Sequence, residues 1–194
     1  MKYLGTAIRM TIVTAVIAGI VYPLVMTGLA QVLFPGKANG SLAEKNGQVI
    51  GSRLIGQDFS SEKYFQPRPS AAGTGYDAMD SSFSNLGPTS KALADRVRTD
   101  LQRLIAANPG LRPGRVPIDA VTTSASGLDP DITVANARAQ APRVAAARGM
   151  SVGAVLALVD AHTSGRQLGF LGEPRVNVLE LNLALDAAAA KGPS

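Results

Sequence analysis

The sequence predicts a single N-terminal transmembrane helix followed by one soluble domain of the α+β class. Residues 10–34 contain no charged side chain. A helix of this length spans roughly 37 Å, which is enough to cross a hydrocarbon core of about 30 Å. The rest of the chain, about 160 residues, has the size of one domain and mixes helical with strand-like patterns. We therefore divide the chain into an N-terminal flank (1–9), a transmembrane helix (10–34), a connector (35–48) and a domain (49–194).

The apolar segment is interpreted as an uncleaved anchor. A signal peptide has an apolar core of about 7–15 residues, whereas this run continues past the small residues at 28–30. Lys2 and Arg9 precede the segment, and no acidic residue occurs before Glu44. This distribution favours a cytoplasmic N-terminus.

Small or polar residues recur at every fourth position of the anchor. They are Thr11, Ala15, Gly19, Pro23 and Thr27. Because small residues allow two helix backbones to approach closely, we expect this stripe to pack against other membrane helices. A plain lipid-facing anchor is the alternative. In a regular helix the stripe drifts by about 40° at each step, and Pro23 is predicted to kink the helix.

The first part of the domain has weak secondary-structure signals. After a polar connector, residues 49–59 predict a short strand or hairpin. Residues 60–90 are rich in Gly, Ser, Asn and Pro but also contain aromatic residues such as Tyr64 and Phe65. Since about thirty irregular residues are unusual in a compact domain, we expect an ordered segment that lies on a partner.

The second part of the domain predicts mainly helices. Amphipathic patterns predict helices at 89–107, at 133–148 with an interruption at Pro142, and at 151–161. Gly149 is a suitable C-terminal stop and Ser151 a suitable N-cap. Residues 116–123 are predicted to form a strand. Asn177 and Glu180 form a variant capping box that predicts a last helix.

Composition excludes several kinds of site. The chain has no cysteine, which excludes disulfides, thiolate catalysis and cysteine-ligated zinc. Its single histidine, His162, excludes a site built from several histidines, and we interpret it as a helix cap rather than as the base of a hydrolase. Basic residues are scattered and aromatics are only 5% of the chain, so no nucleic-acid partner is expected. The sequence thus predicts no catalytic residue and no metal site.

Several blocks taken together resemble a known family over nearly the whole chain. The blocks are Gly56-Gln57-Asp58-Phe59, Tyr64-Phe65-Gln66-Pro67-Arg68-Pro69-Ser70-Ala71, Ser84-Asn85-Leu86-Gly87-Pro88-Thr89, Ser126-Gly127-Leu128-Asp129-Pro130, Arg143-Val144-Ala145, Leu171-Gly172-Glu173-Pro174-Arg175-Val176-Asn177-Val178 and Leu181-Asn182-Leu183-Ala184-Leu185. In this order they resemble KdpC, the C-subunit family of the Kdp potassium-transporting P-type ATPase.

The resemblance implies a non-catalytic subunit of a potassium uptake complex in the bacterial inner membrane, with its domain in the periplasm and lipid around its helix. The implied partners are a channel-like A subunit, an ATP-hydrolysing B subunit and a small F subunit. The implied roles are assembly and stabilisation, or a catalytic chaperone that raises the ATP affinity of the B subunit. The chain itself is expected to bind no cofactor firmly, and any contact with ATP would be through the B subunit.

The chaperone role would involve a glycine-containing nucleotide loop in this family. Its counterparts here are Ser82, Ser84 and Asn85, and the bulky Phe83 among them departs from the glycine pattern. A different hypothesis is a membrane-anchored periplasmic module that binds or senses a ligand, because the long irregular segment with aromatics is typical of a binding surface.

Overall fold

The chain divides into two compact units, Met1–Ser52 and Arg53–Ser194. The structure, a computed structural model, describes residues 3–108 and 110–190. Lys2, which the orientation prediction uses, and the last residues of the predicted domain lie outside the described residues.

The first unit is dominated by one long apolar helix. It consists of α1 (Leu4–Val16), a π-helical turn (Ile17–Val21) and α2 (Tyr22–Leu33). Together these span 30 residues, of which an 18-residue window has a mean hydropathy of 2.1 and none of that window is buried. Among the described residues it is the one helix long and apolar enough to cross a membrane. The predicted apolar helix is therefore confirmed, and it begins at Leu4, one turn and a half before the uncharged run.

The predicted connector contains regular structure. Phe34 leaves the helical conformation and a one-turn helix, α3 (Pro35–Ala38), follows it. Strands β1 (Leu42–Lys45) and β2 (Gln48–Ser52) then form an antiparallel hairpin. Asn46 and Gly47 connect them with φ angles of 53° and 75°, the left-handed pair that a tight two-residue hairpin turn requires. The strand or hairpin predicted from residue 49 is thus present, but its first strand lies within the supposed connector.

The second unit contains four helices and one small sheet within the described residues. The helices are α4 (Lys91–Ala107), α5 (Val134–Arg148), α6 (Val152–Ala161) and α7 (Val178–Ala190). Strands β3 (Asp131–Thr133), β4 (Thr163–Ser164) and β5 (Arg175–Asn177) pair antiparallel in the order β3-β5-β4. This arrangement confirms the predicted α+β class.

The helix ends follow the predicted caps. The Ser151 hydroxyl accepts a hydrogen bond from the Ala154 amide at the start of α6. Gly149 ends α5 with a φ of 65°, a conformation that favours glycine. The Asn177 side chain accepts a hydrogen bond from the Glu180 amide at 3.1 Å, which is one half of the predicted capping box. The Glu180 carboxylate pairs with Arg53 at 3.1 Å.

Two predictions about local structure were wrong. Helix α5 continues through Pro142, because Pro142 and Arg138 are both exposed and water can replace the missing hydrogen bond. Residues 116–123 form no strand. They contain instead a 3₁₀ turn, Ile118–Ala120, which points the Asp119 carboxylate inward. There it accepts hydrogen bonds from Thr133 and Asn136, so a tertiary contact overrides the β propensity of the valine and threonine residues.

One apolar core holds the second unit together. Its buried members are Phe65, Ile132, Ala137, Ala141, Val144, Ala145, Val155, Val159, Val176, Val178, Leu181 and Leu185. Helices α5, α6 and α7 and the sheet supply all of them except Phe65, which comes from the irregular part of the chain. Val155 and Val159 point inward, and Leu158 packs at the core's edge.

Candidate subunit-interaction site

The irregular segment, defined here as residues 53–90, has no helix or strand beyond its boundaries with β2 and α4. Its central part packs against helices of its own domain, and Phe65 is fully buried. The prediction that this segment is ordered is confirmed. The prediction that it lies on a partner was wrong for residues 64–66, because their main chain is bound by side chains of α5 and α7. For the rest of the segment it stays a prediction.

Two side-chain amides hold consecutive residues of this segment. Asn182 on α7 accepts from the Phe65 amide at 2.8 Å and donates to the Phe65 carbonyl at 3.0 Å. Gln140 on α5 accepts from the Gln66 amide at 2.8 Å and donates to the Gln66 carbonyl at 3.0 Å. Both amides are buried. They form hydrogen bonds with the backbone N–H and C=O groups of both residues, as a neighbouring strand would. This explains how residues without regular secondary structure can be buried against the core.

Arg143 on α5 extends this polar network. Its guanidinium donates to the carbonyls of Glu62 at 2.6 Å and Tyr64 at 3.1 Å. It also donates to Asn108 at 3.0 Å and to Gln140 at 2.9 Å. Burial lowers the pKa of Arg143, while the negative charge of Glu62 acts in the opposite direction. The Arg143 side chain therefore links the end of α4, helix α5 and the irregular segment through hydrogen bonds.

Arg148, near the end of α5, also contacts the irregular segment. It forms an ion pair with Asp186 at 2.9 Å, and its guanidinium lies 4.8 Å from the centre of the Tyr64 ring. The Tyr64 hydroxyl donates to the second oxygen of Asp186 at 3.2 Å. Sequence reasoning missed these roles. A usable signal was present, since Gln140, Arg143 and Asn182 are polar residues that recur on otherwise apolar helix faces.

A cavity of about 320 Å³ lies between the irregular segment and helices α4 and α5. Asp58, Tyr76 and Arg103 are the ionisable groups in its lining. The Tyr76 hydroxyl donates to the Arg68 carbonyl at 2.6 Å. Burial, reinforced by the negative charge of Asp58, raises the pKa of Tyr76 to about 12. The cavity therefore presents a neutral phenol at physiological pH.

A second concavity, of about 270 Å³, contains four carboxylates, those of Asp119, Asp129, Asp131 and Glu173. Asp129 pairs with Arg68 at 2.8 Å, and Asp131 pairs with Arg175 at 2.9 Å. Burial raises the pKa of Asp131 despite that arginine. Across residues 3–108 and 110–190, no group of three or more carboxylates and histidines is arranged to hold a metal ion.

The three nucleotide-loop candidates lie at the far end of the irregular segment, and none lines either cavity. The Ser82 hydroxyl donates to the Ala71 carbonyl at 2.7 Å, and this bond ties Ser82 to an earlier part of the irregular segment. Ser84 is half-buried, and Asn85 adopts a left-handed φ of 52°. Nucleotide binding by Ser82, Ser84 and Asn85 stays a prediction.

His162 is the C-cap of α6 and directly follows its last residue, Ala161. Its Nδ1 lies 2.9 Å from the Leu158 carbonyl, so this nitrogen donates to the last turn of the helix. The neighbouring Thr163 hydroxyl donates to the Val159 carbonyl at 2.8 Å. This is the geometry of a helix cap, as the sequence led us to expect.

The π-helical turn changes the geometry of the small-residue stripe on the apolar helix. It ends at Val21, two residues before Pro23, whose ring and missing N–H disturb the regular pattern of hydrogen bonds. In an uninterrupted helix Thr11 and Pro23 would lie about 120° apart. The wide turn accommodates one extra residue and removes about 100° of rotation, so the two lie only about 20° apart. Ala15 and Thr27 are related in the same way, and the drift over the whole stripe, from Thr11 to Thr27, falls from about 160° to about 60°.

Comparison with protein families identifies the chain. A model of the family described as "K+-transporting ATPase, c chain" matches residues 4–187. The chain belongs to this family, KdpC. The match includes both the apolar helix and nearly all of the α+β domain. The family resemblance seen in the sequence blocks is confirmed.

Named KdpC relatives are similar over most of their length. The "Potassium-transporting ATPase KdpC subunit" of Koribacter versatilis is 57% identical, with 95% of this chain and 94% of the relative covered. The subunit of the same name from Myxococcus xanthus is 58% identical over 93% of this chain and 86% of its own. That of Gemmatimonas aurantiaca is 54% identical over 100% and 97%. A KdpC chain is thus a subunit of a potassium-transporting ATPase, and a membrane-anchoring helix fits that setting.

Proposed function

We propose that this chain is a non-catalytic subunit of an ATP-driven potassium uptake complex, where it supports assembly and stability. The observation that carries the proposal is the family match over residues 4–187. The partners would be a channel-like A subunit, an ATP-hydrolysing B subunit and a small F subunit. The same match favours a pump subunit over a free-standing ligand sensor.

The internal polar network supports a scaffolding role. Asp119, Gln140, Arg143 and Asn182 are buried, and each has hydrogen bonds to other parts of its own domain. Buried polar groups used in this way fix the conformation of the backbone that they bind. The domain thereby presents its loops in a defined arrangement, which is what a subunit that holds others together needs.

The apolar helix would anchor the subunit in the inner membrane, with its N-terminus in the cytoplasm and its domain in the periplasm. Thr11, Ala15, Gly19, Pro23 and Thr27 would face helices of a partner, and the remaining faces would contact lipid. The π-helical turn supports this assignment, because it reduces the rotation around the helix axis between the two ends of the stripe.

The competing role is that of a catalytic chaperone for the B subunit. We favour assembly, because a periplasmic domain cannot reach cytoplasmic ATP. The engagement of the Ser82 hydroxyl with Ala71 points the same way, since it is not free to bind a phosphate without rearrangement.

The experiment is to express the other subunits with and without this chain and to purify the complex through a tag on the B subunit. We expect loss of the A subunit from the purified material, and loss of potassium-dependent ATPase activity, when the chain is omitted. Full recovery of an active complex would contradict the proposal. An assembled complex with an increased KM for ATP would support the chaperone role instead.

A further inference from the structure

The loop between β4 and β5 ends in an exposed apolar tip, defined as residues 168–171. Leu168, Phe170 and Leu171 are 83%, 70% and 48% exposed. Single exposed hydrophobic residues are common on soluble domains, but three within four residues form a patch that indicates an interaction site. We infer that this apolar tip inserts into an uncharged apolar socket on another polypeptide of the transport complex. The inference rests on the proposed function, because it requires a partner subunit.

The tip is held in a fixed conformation. Gln167 and Leu171 exchange two backbone hydrogen bonds, each of 2.9 Å, and the Gly169 amide donates to the Arg166 carbonyl at 3.2 Å. Leu168 has a φ of +53°, a conformation that bulky side chains rarely adopt. A loop that is already ordered loses little conformational freedom on binding, so a rigid display of Leu168 and Phe170 favours association.

The charges at the base of the tip indicate the chemistry of the occupant. One nitrogen of Arg166 donates to both carboxylate oxygens of Glu173 at 2.8 Å. Arg175 pairs with Asp131 at 2.9 Å. Loops that bind anionic membranes combine apolar residues with basic side chains that remain available to lipid phosphates. Here both arginines are paired with carboxylates, so the part of the loop below the apolar tip carries no net charge. Such a surface is complementary to an uncharged protein socket. A central aromatic side chain such as Phe170 is typical of the strongest contacts in protein interfaces.

The absence of cysteine from the sequence makes a direct test simple, because Phe170→Cys introduces the only thiol of the chain. Its rate of maleimide labelling is compared in three samples: the full chain in detergent, the full chain in vesicles of phosphatidylethanolamine and phosphatidylglycerol, and the assembled complex. The labelled chain is separated from the other subunits by mass. We expect rapid labelling in detergent and in vesicles, and labelling at least about tenfold slower in the complex.

Equal rates in the complex and in detergent would overturn the inference. Slow labelling in vesicles without the other subunits would also overturn it, because lipid would then be the occupant. Ile118→Cys is the matched control, since Ile118 is 77% exposed elsewhere in the domain. An equal slowing of Ile118→Cys in the complex would contradict specific protection of the tip. Failure of the proposed function would be seen separately, as the absence of the unmodified chain from the purified complex.

Discussion

The side-chain amide of Asn182 binds the main chain of Phe65 through both of its polar groups, with distances of 2.8 and 3.0 Å. This contact joins residues that are 117 positions apart in the sequence. It secures the one core aromatic residue that comes from the irregular segment. The order of that segment, and of the loops that follow it, therefore depends on a polar contact within the core.

Replacing Asn182 by alanine should destabilise the domain strongly. The variant leaves a buried N–H and a buried carbonyl of Phe65 without partners, each at a cost of about 1–3 kcal/mol. We expect the free energy of unfolding to fall by about 2–5 kcal/mol, measured by urea denaturation of the full chain in detergent with circular dichroism. Gln102→Ala, at an exposed position of α4, is the control and should change stability little. A loss for Asn182→Ala no larger than for Gln102→Ala would show that the amide contact is unimportant.

Gly127 is predicted to be much less tolerant of substitution than Gly149, although both have left-handed backbones with φ angles of 69° and 65°. A β-carbon at Gly127 would lie 2.7 Å from the Ala72 amide nitrogen and 2.8 Å from the Ser82 carbonyl oxygen. A β-carbon at Gly149 would meet no atom within 4 Å.

Gly149→Ala should therefore cost about 1–2 kcal/mol from backbone strain alone. Gly127→Ala should cost about 1–3 kcal/mol more, because the loop at 126–128 must move away from the irregular segment. Thermal denaturation of both variants measures the difference. Equal losses of stability would mean that the close approach at Gly127 relaxes freely.

Tyr76 should make stability depend on alkaline pH. Burial, followed by the charge of Asp58, raises its pKa in the folded protein to about 12, from 10.0 for an ordinary tyrosine. The unfolded state releases this proton first as the pH increases. The stabilising contribution of Tyr76 is therefore complete below about pH 10 and decreases as the pH rises towards 12.

The matched variant is Tyr76→Phe, which lacks the hydroxyl and its bond to the Arg68 carbonyl. We expect it to be less stable than the wild type at pH 8, with the gap narrowing between about pH 10 and 12. Urea denaturation at each pH measures both proteins. A gap that stays constant over this range would indicate that Tyr76 titrates like an exposed tyrosine.

Gly19→Leu should weaken assembly of the transport complex, because a bulky side chain on the small-residue stripe separates the packed helices. The readout is the amount of the chain that co-purifies with the tagged B subunit. Gly28→Leu introduces the same change about 100° around the helix from the stripe residue Thr27 and should leave co-purification unchanged. Equal recovery of both variants would contradict packing through the stripe.

The sequence was informative wherever a local rule determines the structure. The length of the uncharged run predicts the apolar helix, and the chemistry of Ser151, Gly149 and Asn177 predicts where helices begin and end. These residues act on backbone groups within a few positions of themselves. Their effect can therefore be deduced without knowledge of the fold.

The remaining features depend on contacts between distant residues. Asp119 turns a strand-like sequence into a 3₁₀ turn because Thr133 and Asn136 supply its partners. Gln140 and Asn182 hold an irregular segment that has no periodicity of its own. The stripe on the apolar helix was predicted by spacing, but its alignment on one face depends on the π-helical turn before Pro23. Pro23 predicts that the helix is disturbed at this point, but neither the π-helical form of the turn nor the apolar tip follows from a local pattern.

The location of the domain tests the central proposal most directly, because an assembly subunit with a cytoplasmic N-terminus must expose its domain to the periplasm. Protease is added to intact spheroplasts and, separately, to inside-out membrane vesicles that contain the assembled complex. The fate of residues 53–194 is followed with an antibody, and a soluble cytoplasmic protein serves as the control for intact spheroplasts. We predict cleavage of the domain in spheroplasts and protection in inside-out vesicles. Protection in spheroplasts with cleavage in inside-out vesicles would contradict the proposal. It would mean that the domain lies in the cytoplasm, on the side where ATP is bound.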